Sequence, residues 1–375
     1  MKIAMFGHKR IPSREGGVEI VVEELSKRLV KKGFDVTCFN RAGHHVSGKS
    51  YDIDSFSEYK GIHIKKILSI DKKGLSAVSS SFFSSILCAL GNYDVVHIHA
   101  EGPALFCFIP KIFGKRVICT IHGLDHKRAK WGKFARKIIL SGEKSAVKYS
   151  DEIIVLSKDV QNYFKSEYGR KTHLIPNAVD IPEIRRADLI SKEFGLKKNS
   201  YVLFLGRLVP EKGISYLLEA WKTIITDKKL VIAGGSSDSS VFVNELVRSA
   251  PDNVIFTGFV QGRVLEELYS NAYIYVLPSD LEGMPLSLLE AMSYGNCCLV
   301  SDIDECSSVV GSNGVTFKKS DSYDLKNKIQ FLIDNKFVVD EYKKNAQCYI
   351  CNKYNWDDVV KQTISLYKKT DYESN

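Results

Sequence analysis

Short apolar runs alternate with helix-patterned stretches from one end of the chain to the other, and they do so in two series. The first series comprises Lys2–Phe6, Asp35–Asn40, His63–Ile67, Val95–His99, Val117–Ile121 and Ile153–Leu156, with a helical stretch over 17–32 after the first run. The second comprises Tyr201–Leu205, Lys229–Ala233, Val254–Thr257, Ile274–Leu277 and Cys298–Ser301. Runs that are apolar throughout, with helices between them, describe strands buried on both faces of a parallel sheet. The simplest architecture is α/β, with two successive doubly wound, Rossmann-like domains. With 375 residues, 44% of them hydrophobic, the chain can build two separate cores.

Pro176 and Pro182 interrupt the pattern, and the polar stretch Leu196–Ser200 precedes the first strand of the second series. This places one domain over 1–180 and the other over 181–355. Segment 175–180 connects them, and a last helix over 356–370 packs back on the first domain. In open parallel sheets ligands bind beyond the carboxyl ends of the strands, so two such domains face to face line one cleft.

Two charged motifs fall at such strand ends. Gly206-Arg207-Leu208-Val209-Pro210-Glu211-Lys212-Gly213 follows the strand 201–205. Gly206 admits close backbone approach, Arg207 offers a planar fork for phosphate oxygens, and Lys212 a compact cation. Two fixed cations stabilise a leaving diphosphate more in the transition state than in the ground state. The second motif, Ser279-Asp280-Leu281-Glu282-Gly283-Met284-Pro285-Leu286-Ser287-Leu288-Leu289-Glu290, follows the strand 274–277. Its carboxylates Glu282 and Glu290 suit sugar hydroxyls, and backbone N–H groups from Gly283 to Leu286 suit a sugar or phosphate. Glu290 lies in an otherwise apolar helix, and a charge there needs a partner.

The glutamate pair and the upstream Arg/Lys site resemble those of the retaining glycosyltransferases of the GT-B fold, family 4, also called group 1 glycosyltransferases, of the bacterial surface-polysaccharide type. The resemblance runs over the whole chain. It includes Tyr149–Ser157, the connection Pro176–Asp180, Gly234-Gly235, Gly258-Phe259-Val260 and Tyr354-Asn355-Trp356-Asp357. It implies that Arg207 and Lys212 bind the donor diphosphate, that Glu282 faces the donor sugar, and that Glu290 holds the ribose. Many members carry Gly-Phe-Gly-x-Pro after the first glutamate, where this chain has Gly283-Met284-Pro285, and Pro285 removes one backbone donor. The resemblance also places His122 in the cleft near the donor sugar, and the loop with Gly16 and Gly17 near donor phosphate and acceptor. That loop lacks the Gly-x-Gly-x-x-Gly dinucleotide fingerprint, which argues against a nicotinamide enzyme. His97 and His99, on the strand 95–99, read as structural residues, with His99 near enough to reach the cleft.

The expected reaction is retaining transfer of a sugar from a nucleoside-diphosphate donor, expected as a UDP-sugar, to a hydroxyl of a growing lipid-linked glycan in capsule, exopolysaccharide or O-antigen synthesis. The amino-terminal domain holds the acceptor and the carboxyl-terminal domain the donor. No metal and no other cofactor is expected, because Arg207 and Lys212 supply the positive charge. Rival readings are a UDP-sugar epimerase of the same fold and a non-catalytic sugar-nucleotide-binding scaffold.

Charge and cysteines narrow the setting. Of the net charge of +9, residues 126–149 carry +7. Lys130, Lys133, Arg136 and Lys137 lie there as a candidate acceptor or anionic-membrane surface. Trp131, Phe134 and Ile138 form a stripe expected to face the core. The confinement of the charge to one helix, with no aromatic platform, excludes a nucleic-acid partner. The charged start Met1-Lys2 does not read as a signal peptide, and no apolar run is long enough to span a bilayer. Nine cysteines without framework spacing point to reduced thiols and a cytoplasmic site, peripheral at the inner membrane face. Cys348 and Cys351 form a lone Cys-x-x-Cys, expected as helix-face coincidence rather than zinc.

Overall fold

The computed structural model describes residues 1–43, 57–70, 75–128, 131–235 and 240–369. The chain divides into two compact units, Met1–Asn177 with Trp356–Asn375, and Ala178–Asn355. The sequence expectation set the first boundary three residues later, at 180, and the second at the same place.

The first unit holds β1 (Lys2–Phe6), β2 (Asp35–Arg41), β3 (Glu58–Tyr59), β4 (Ile62–Ile67), β5 (Val95–His99), β6 (Arg116–Ile121), β7 (Glu152–Val155) and β8 (His173–Leu174). They form one sheet in the order β3-β4-β2-β1-β5-β6-β7-β8, parallel except for the β3–β4 pair. Strand β1 lies between β2 and β5, so the sheet reverses its direction of growth there. Every residue of β5 is buried, and so are Phe6, Val117, Cys119 and Phe164 around it. The closing helix Trp356–Lys368 belongs to this unit. Its Leu366 carbonyl accepts Arg116 Nε at 2.7 Å, and the Arg28 guanidinium lies 4.7 Å above the Trp356 ring.

The second unit is a six-stranded, wholly parallel sheet of β9 (Tyr201–Leu205), β10 (Lys229–Ala233), β11 (Val254–Gly258), β12 (Ile274–Leu277), β13 (Cys298–Ser301) and β14 (Val315–Phe317). Its order is β11-β10-β9-β12-β13-β14, with the reversal between β9 and β12. The two charged sequence motifs follow those two strands, which is where an open sheet parts its loops and makes room for a ligand. Strands β3, β8 and β14, of two or three residues each, are absent from the sequence expectation.

All nine cysteines are free thiols, seven of them buried. Cys348 and Cys351 lie on the helix Lys336–Lys353, where Asn352 Nδ2 donates to Cys348 Sγ at 3.4 Å. No helix among the described residues is long and apolar enough to cross a membrane.

Candidate active site

In the second unit, glycines bring the two motifs together. Gly234 follows β10 with φ +144°, and a Cβ there would stand 1.8 Å from the Gly206 carbonyl oxygen. Gly213 has φ +68°, and a Cβ there would stand 1.9 Å from the Pro278 carbonyl oxygen. Only a residue without a side chain permits either approach. The loop after β9 is thereby pressed against the end of β12, and Asp280 N–H donates to the Glu211 carbonyl at 2.8 Å.

This packing pairs Lys212 with Glu282. Nζ lies 2.5 Å from Oε1, and the side chains are 13% and 9% exposed. Ser279 Oγ donates to the same Oε1 at 2.6 Å, while Ser301 Oγ holds the Ser279 carbonyl at 2.5 Å. Asp280 is fixed alongside by the Tyr216 hydroxyl and by Ser320 Oγ at 2.7 Å. Arg207 is half-buried, and its guanidinium makes no hydrogen bond or ion pair to the described residues. One of the two expected cations is thus engaged by a carboxylate, and the other is available to an anion.

Glu282 leads through Gly283, Met284 and Pro285, all buried, into the helix Leu286–Ser293. The Pro285 carbonyl accepts the N–H groups of Leu288 and Leu289 at 3.1 and 3.2 Å. The N–H groups of a helix's first turn have no acceptor within the helix and favour negative charge. Glu290, on the same helix, is half-buried, and its Oε2 accepts the Tyr269 hydroxyl at 3.2 Å. That is the partner the apolar helix demanded. Tyr269 stacks on Tyr294, with ring centroids 5.2 Å apart, so the donor is held in place.

Two family models cover most of the chain: "Glycosyltransferase Family 4" over residues 15–183 and "Glycosyl transferases group 1" over residues 187–350. An Escherichia coli UDP-Gal:alpha-D-GlcNAc-diphosphoundecaprenol alpha-1,3-galactosyltransferase is 30% identical over 73% of this chain and 75% of its own. The chain belongs to the group 1 glycosyltransferases. Sucrose-phosphate synthase from Thermosynechococcus elongatus shares the fold with a TM-score of 0.81, at 21% identity over 98% of both chains. Anabaena HepE, solved with UDP and glucose, does so with a TM-score of 0.81, at 17% identity over 98% of this chain and 100% of that one. The fold of the glycosyltransferase is GT-B.

The first unit of the glycosyltransferase places His122 directly after β6. His122 Nε2 lies 3.1 Å from His99 Nδ1, so one ring must donate and the other accept. His97 is bracketed by the Tyr367 hydroxyl and Thr120 Oγ1, each at 2.7 Å. His8, after β1, contacts Asn40 Oδ1 at 3.0 Å. Burial pushes His8 and His122 down to about 4 and His97 to about 3, and holds His99 well below the ordinary value. All four rings are neutral at pH 7. Sequence alone gave His97 and His99 a structural part. Both are fully buried, and His99 also touches the predicted site histidine.

Gly16 and Gly17 open the helix Gly17–Lys31. A Cβ on Gly16 would stand 2.7 Å from Glu19 Oε2, and Glu19 Oε1 accepts Lys9 N–H at 2.9 Å. A carboxylate therefore already sits at this helix start, a feature of the loop that the paired glycines did not disclose.

Lys133, Arg136 and Lys137 are exposed on the helix Lys133–Tyr149, and Lys130 lies outside the described residues. The expected core stripe needs correction: Phe134 is 79% exposed, and the buried face is Ile139, Gly142, Glu143 and Ala146. The buried face meets the rest of the unit at Gly142, where a Cβ would stand 2.0 Å from the Glu101 carbonyl oxygen, about two turns beyond Phe134. Sequence reasoning also missed Tyr269 and Ser279, which orient the two glutamates. A tyrosine on an amphipathic helix and a serine in a loop carry no signal of their own.

Proposed function

We propose that this glycosyltransferase moves a sugar, with retention of configuration, from a UDP donor to a hydroxyl of a lipid-linked glycan in surface-polysaccharide synthesis. The observation that carries the reading is the cluster at the reversal point of the second unit. Arg207 is open to an anion there, Lys212 stands against Glu282, and Glu290 is steadied by Tyr269, all on loops and helices that follow β9 and β12.

In this reading Arg207 and Lys212 take the diphosphate, with the N–H groups between Gly283 and Leu286 as further donors. Glu290 accepts the ribose hydroxyls, and Glu282 a hydroxyl of the donor sugar. The bond between the anomeric carbon and the phosphate oxygen breaks through an oxocarbenium-like state. The acceptor oxygen attacks on the face the phosphate leaves, and its proton passes to that departing oxygen. The two cations stabilise the charge that collects on the diphosphate, and no divalent ion is required there. In the first unit, neutral His122 and the loop at Gly16 and Gly17 are hydrogen-bonding partners suited to hydroxyls. Glu19 makes that loop better suited to hydroxyls than to phosphate.

UDP is supported by the UDP-Gal in the name of the Escherichia coli relative and by the UDP seen with Anabaena HepE. A lipid-linked acceptor is supported by the diphosphoundecaprenol of the same relative. Membrane contact is supported by Phe134, exposed among Lys133, Arg136 and Lys137. The apolar side chains Leu90, Ile112 and Phe113, also exposed on the first unit, support it further.

The test is a thermal-shift panel of UDP, GDP, dTDP, CMP and NAD on the purified protein. Transfer from the matching UDP-sugars to a diphosphoundecaprenol-linked acceptor follows, with the anomeric configuration of the product read by NMR. Stabilisation by UDP and an anomer matching the donor are expected. An inverted anomer would remove retention from the reading, and no shift with any nucleoside diphosphate would remove Arg207 and Lys212 from the diphosphate.

A further inference from the structure

A second cluster of chemistry-bearing side chains lies wholly within the first unit and takes no part in the reaction above. Glu101 opens the short helix after β5, His126 sits on the turn Asp125–Lys127 after β6, and Glu143 lies in the helix Lys133–Tyr149. Gly142 brings that helix onto the Glu101 carbonyl and so sets Glu143 beside Glu101. Both glutamates are fully buried, and the imidazole is 13% exposed.

One oxygen of each carboxylate is already held. Asp125 N–H donates to Glu101 Oε2 at 2.7 Å. The hydroxyls of Tyr163, at 2.8 Å, and Tyr168 both donate to Glu143 Oε1. The remaining atoms, Glu101 Oε1, Glu143 Oε2 and His126 Nδ1, are buried and have no hydrogen-bond partner among the described residues. They point at one another. Nδ1 stands 3.6 Å from Glu101 Oε1 and 3.3 Å from Glu143 Oε2, and all three atoms lie within 4.8 Å of one another. Among the described residues this is the one group of three such ligands.

We propose that Glu101, His126 and Glu143 bind a divalent cation of the zinc class. Without a cation, two buried carboxylate oxygens and an imidazole nitrogen that no other described group satisfies must share protons among themselves, which is costly. A cation among them removes that cost and balances two carboxylate charges. The separations of the imidazole nitrogen from the two oxygens suit it: bonds of about 2.0–2.2 Å to nitrogen and oxygen put tetrahedral ligands about 3.3–3.6 Å apart. One imidazole and two carboxylates is a donor set for zinc or a neighbouring transition ion rather than for magnesium or calcium. The backbone N–H of Asp125 and the two tyrosines orient the carboxylates from behind, as outer partners of metal ligands do. Burial and the neighbouring carboxylates push Glu101 up to about 10, so in the cation's absence a proton takes its place. The cation is structural. It ties the turn after β6, four residues beyond His122, to the end of β5 and to the helix bearing Lys133, Arg136 and Lys137.

The experiment uses the full chain without a histidine tag. Metal content is measured by mass spectrometry after dialysis, for the wild type and for Glu143→Gln and His126→Asn. About one zinc per wild-type chain is expected, and its loss in both variants. A chelator should lower the melting temperature, and zinc, but not magnesium, should restore it. If the variants fail to fold, the stripped wild type is titrated with cobalt. Visible d–d absorption saturating at about one equivalent supports the site. A metal-free protein whose melting temperature no transition ion changes, or zinc retained in both variants, overturns it. The cluster is then a pair of carboxylates sharing a proton. Stabilisation by UDP reports on the second unit, so neither result depends on the other.

Discussion

Glu282→Gln removes one charge from the second unit while keeping its shape, and its expected effects on binding and on turnover have opposite signs. Lys212 Nζ stands 2.5 Å from Glu282 Oε1, with both side chains about nine-tenths covered. A hydrogen bond to a charged group contributes about 1.5–3 kcal/mol, roughly twice a neutral one. The introduced amide would still accept from Lys212 and Ser279, so the side chains need not move. What is lost is about 1 kcal/mol or somewhat more of hold on the lysine. That charge becomes available to a diphosphate, and the carboxylate that would repel the diphosphate is gone. UDP should therefore bind about 5–10-fold more tightly, since about 1.4 kcal/mol is tenfold. Sugar transfer should fall about 100-fold or more, because in the proposed reaction Glu282 lends its charge to the transition state.

Isothermal titration with UDP and a UDP-release assay read the two quantities separately. Lys212→Met supplies the other corner of the cycle and should weaken UDP about tenfold or more. In the double variant the gain from neutralising Glu282 should vanish, because no lysine remains to be released. Unchanged or weaker UDP binding by a folded Glu282→Gln protein refutes the reasoning, and Lys212 would then serve only to hold the loop.

Glu290→Gln should weaken UDP about tenfold but leave binding of a 2′,3′-dideoxy analogue unchanged, since it is the ribose hydroxyls that lose their acceptor; equal losses for both ligands would contradict that role. Gly234→Ala should cost more than about 3 kcal/mol of stability in urea titration, because its Cβ would stand 1.8 Å from a carbonyl oxygen at φ +144°. The buried histidines predict acid sensitivity. His8, His97 and His122 titrate at about 4, 3 and 4 in the fold, below their ordinary value, so the unfolded chain takes up protons first. Their full stability is present above about pH 6.5 and is lost as pH falls towards 4, at about 1.4 kcal/mol per pH unit for each ring. Urea midpoints at pH 7, 6 and 5 should show His97→Asn with a slope shallower by one such increment, and an unchanged slope would contradict the assignment.

The strands that were legible in the sequence are those whose apolar runs leave no other place to go. β5 reads Val-Val-His-Ile-His and is buried at every position. β3, β8 and β14 were not legible, because strands of two or three residues have no period to detect and owe their pairing to neighbours already in place. The same distinction separates the site residues. Glu290 stood out because a carboxylate in an apolar helix must be accounted for. Lys212 and Glu282 stood out because each sits beside glycine after a strand. Glu101, His126 and Glu143 did not, since the first and last of them stand 42 positions apart in the chain. Gly142, where the helix after residue 133 docks, looked like any small residue, and Phe134 was assigned inward when it faces out.

The two units have opposite electrostatic designs. The second unit keeps fixed charge near its strand ends, with Arg207 uncommitted and Lys212 held by one carboxylate. A leaving diphosphate gains negative charge, and a cation fixed beforehand needs no reorganisation when that charge appears. The first unit does the reverse, burying four histidines near its strand ends until all are neutral. A neutral His122 can still donate or accept a hydrogen bond, and His99 at 3.1 Å couples its tautomer to a second ring. The burial that keeps His122 neutral is the same burial that costs stability in acid. Acid should thus unfold the first unit before it alters the chemistry, and the pH profile of transfer should end where the fold does.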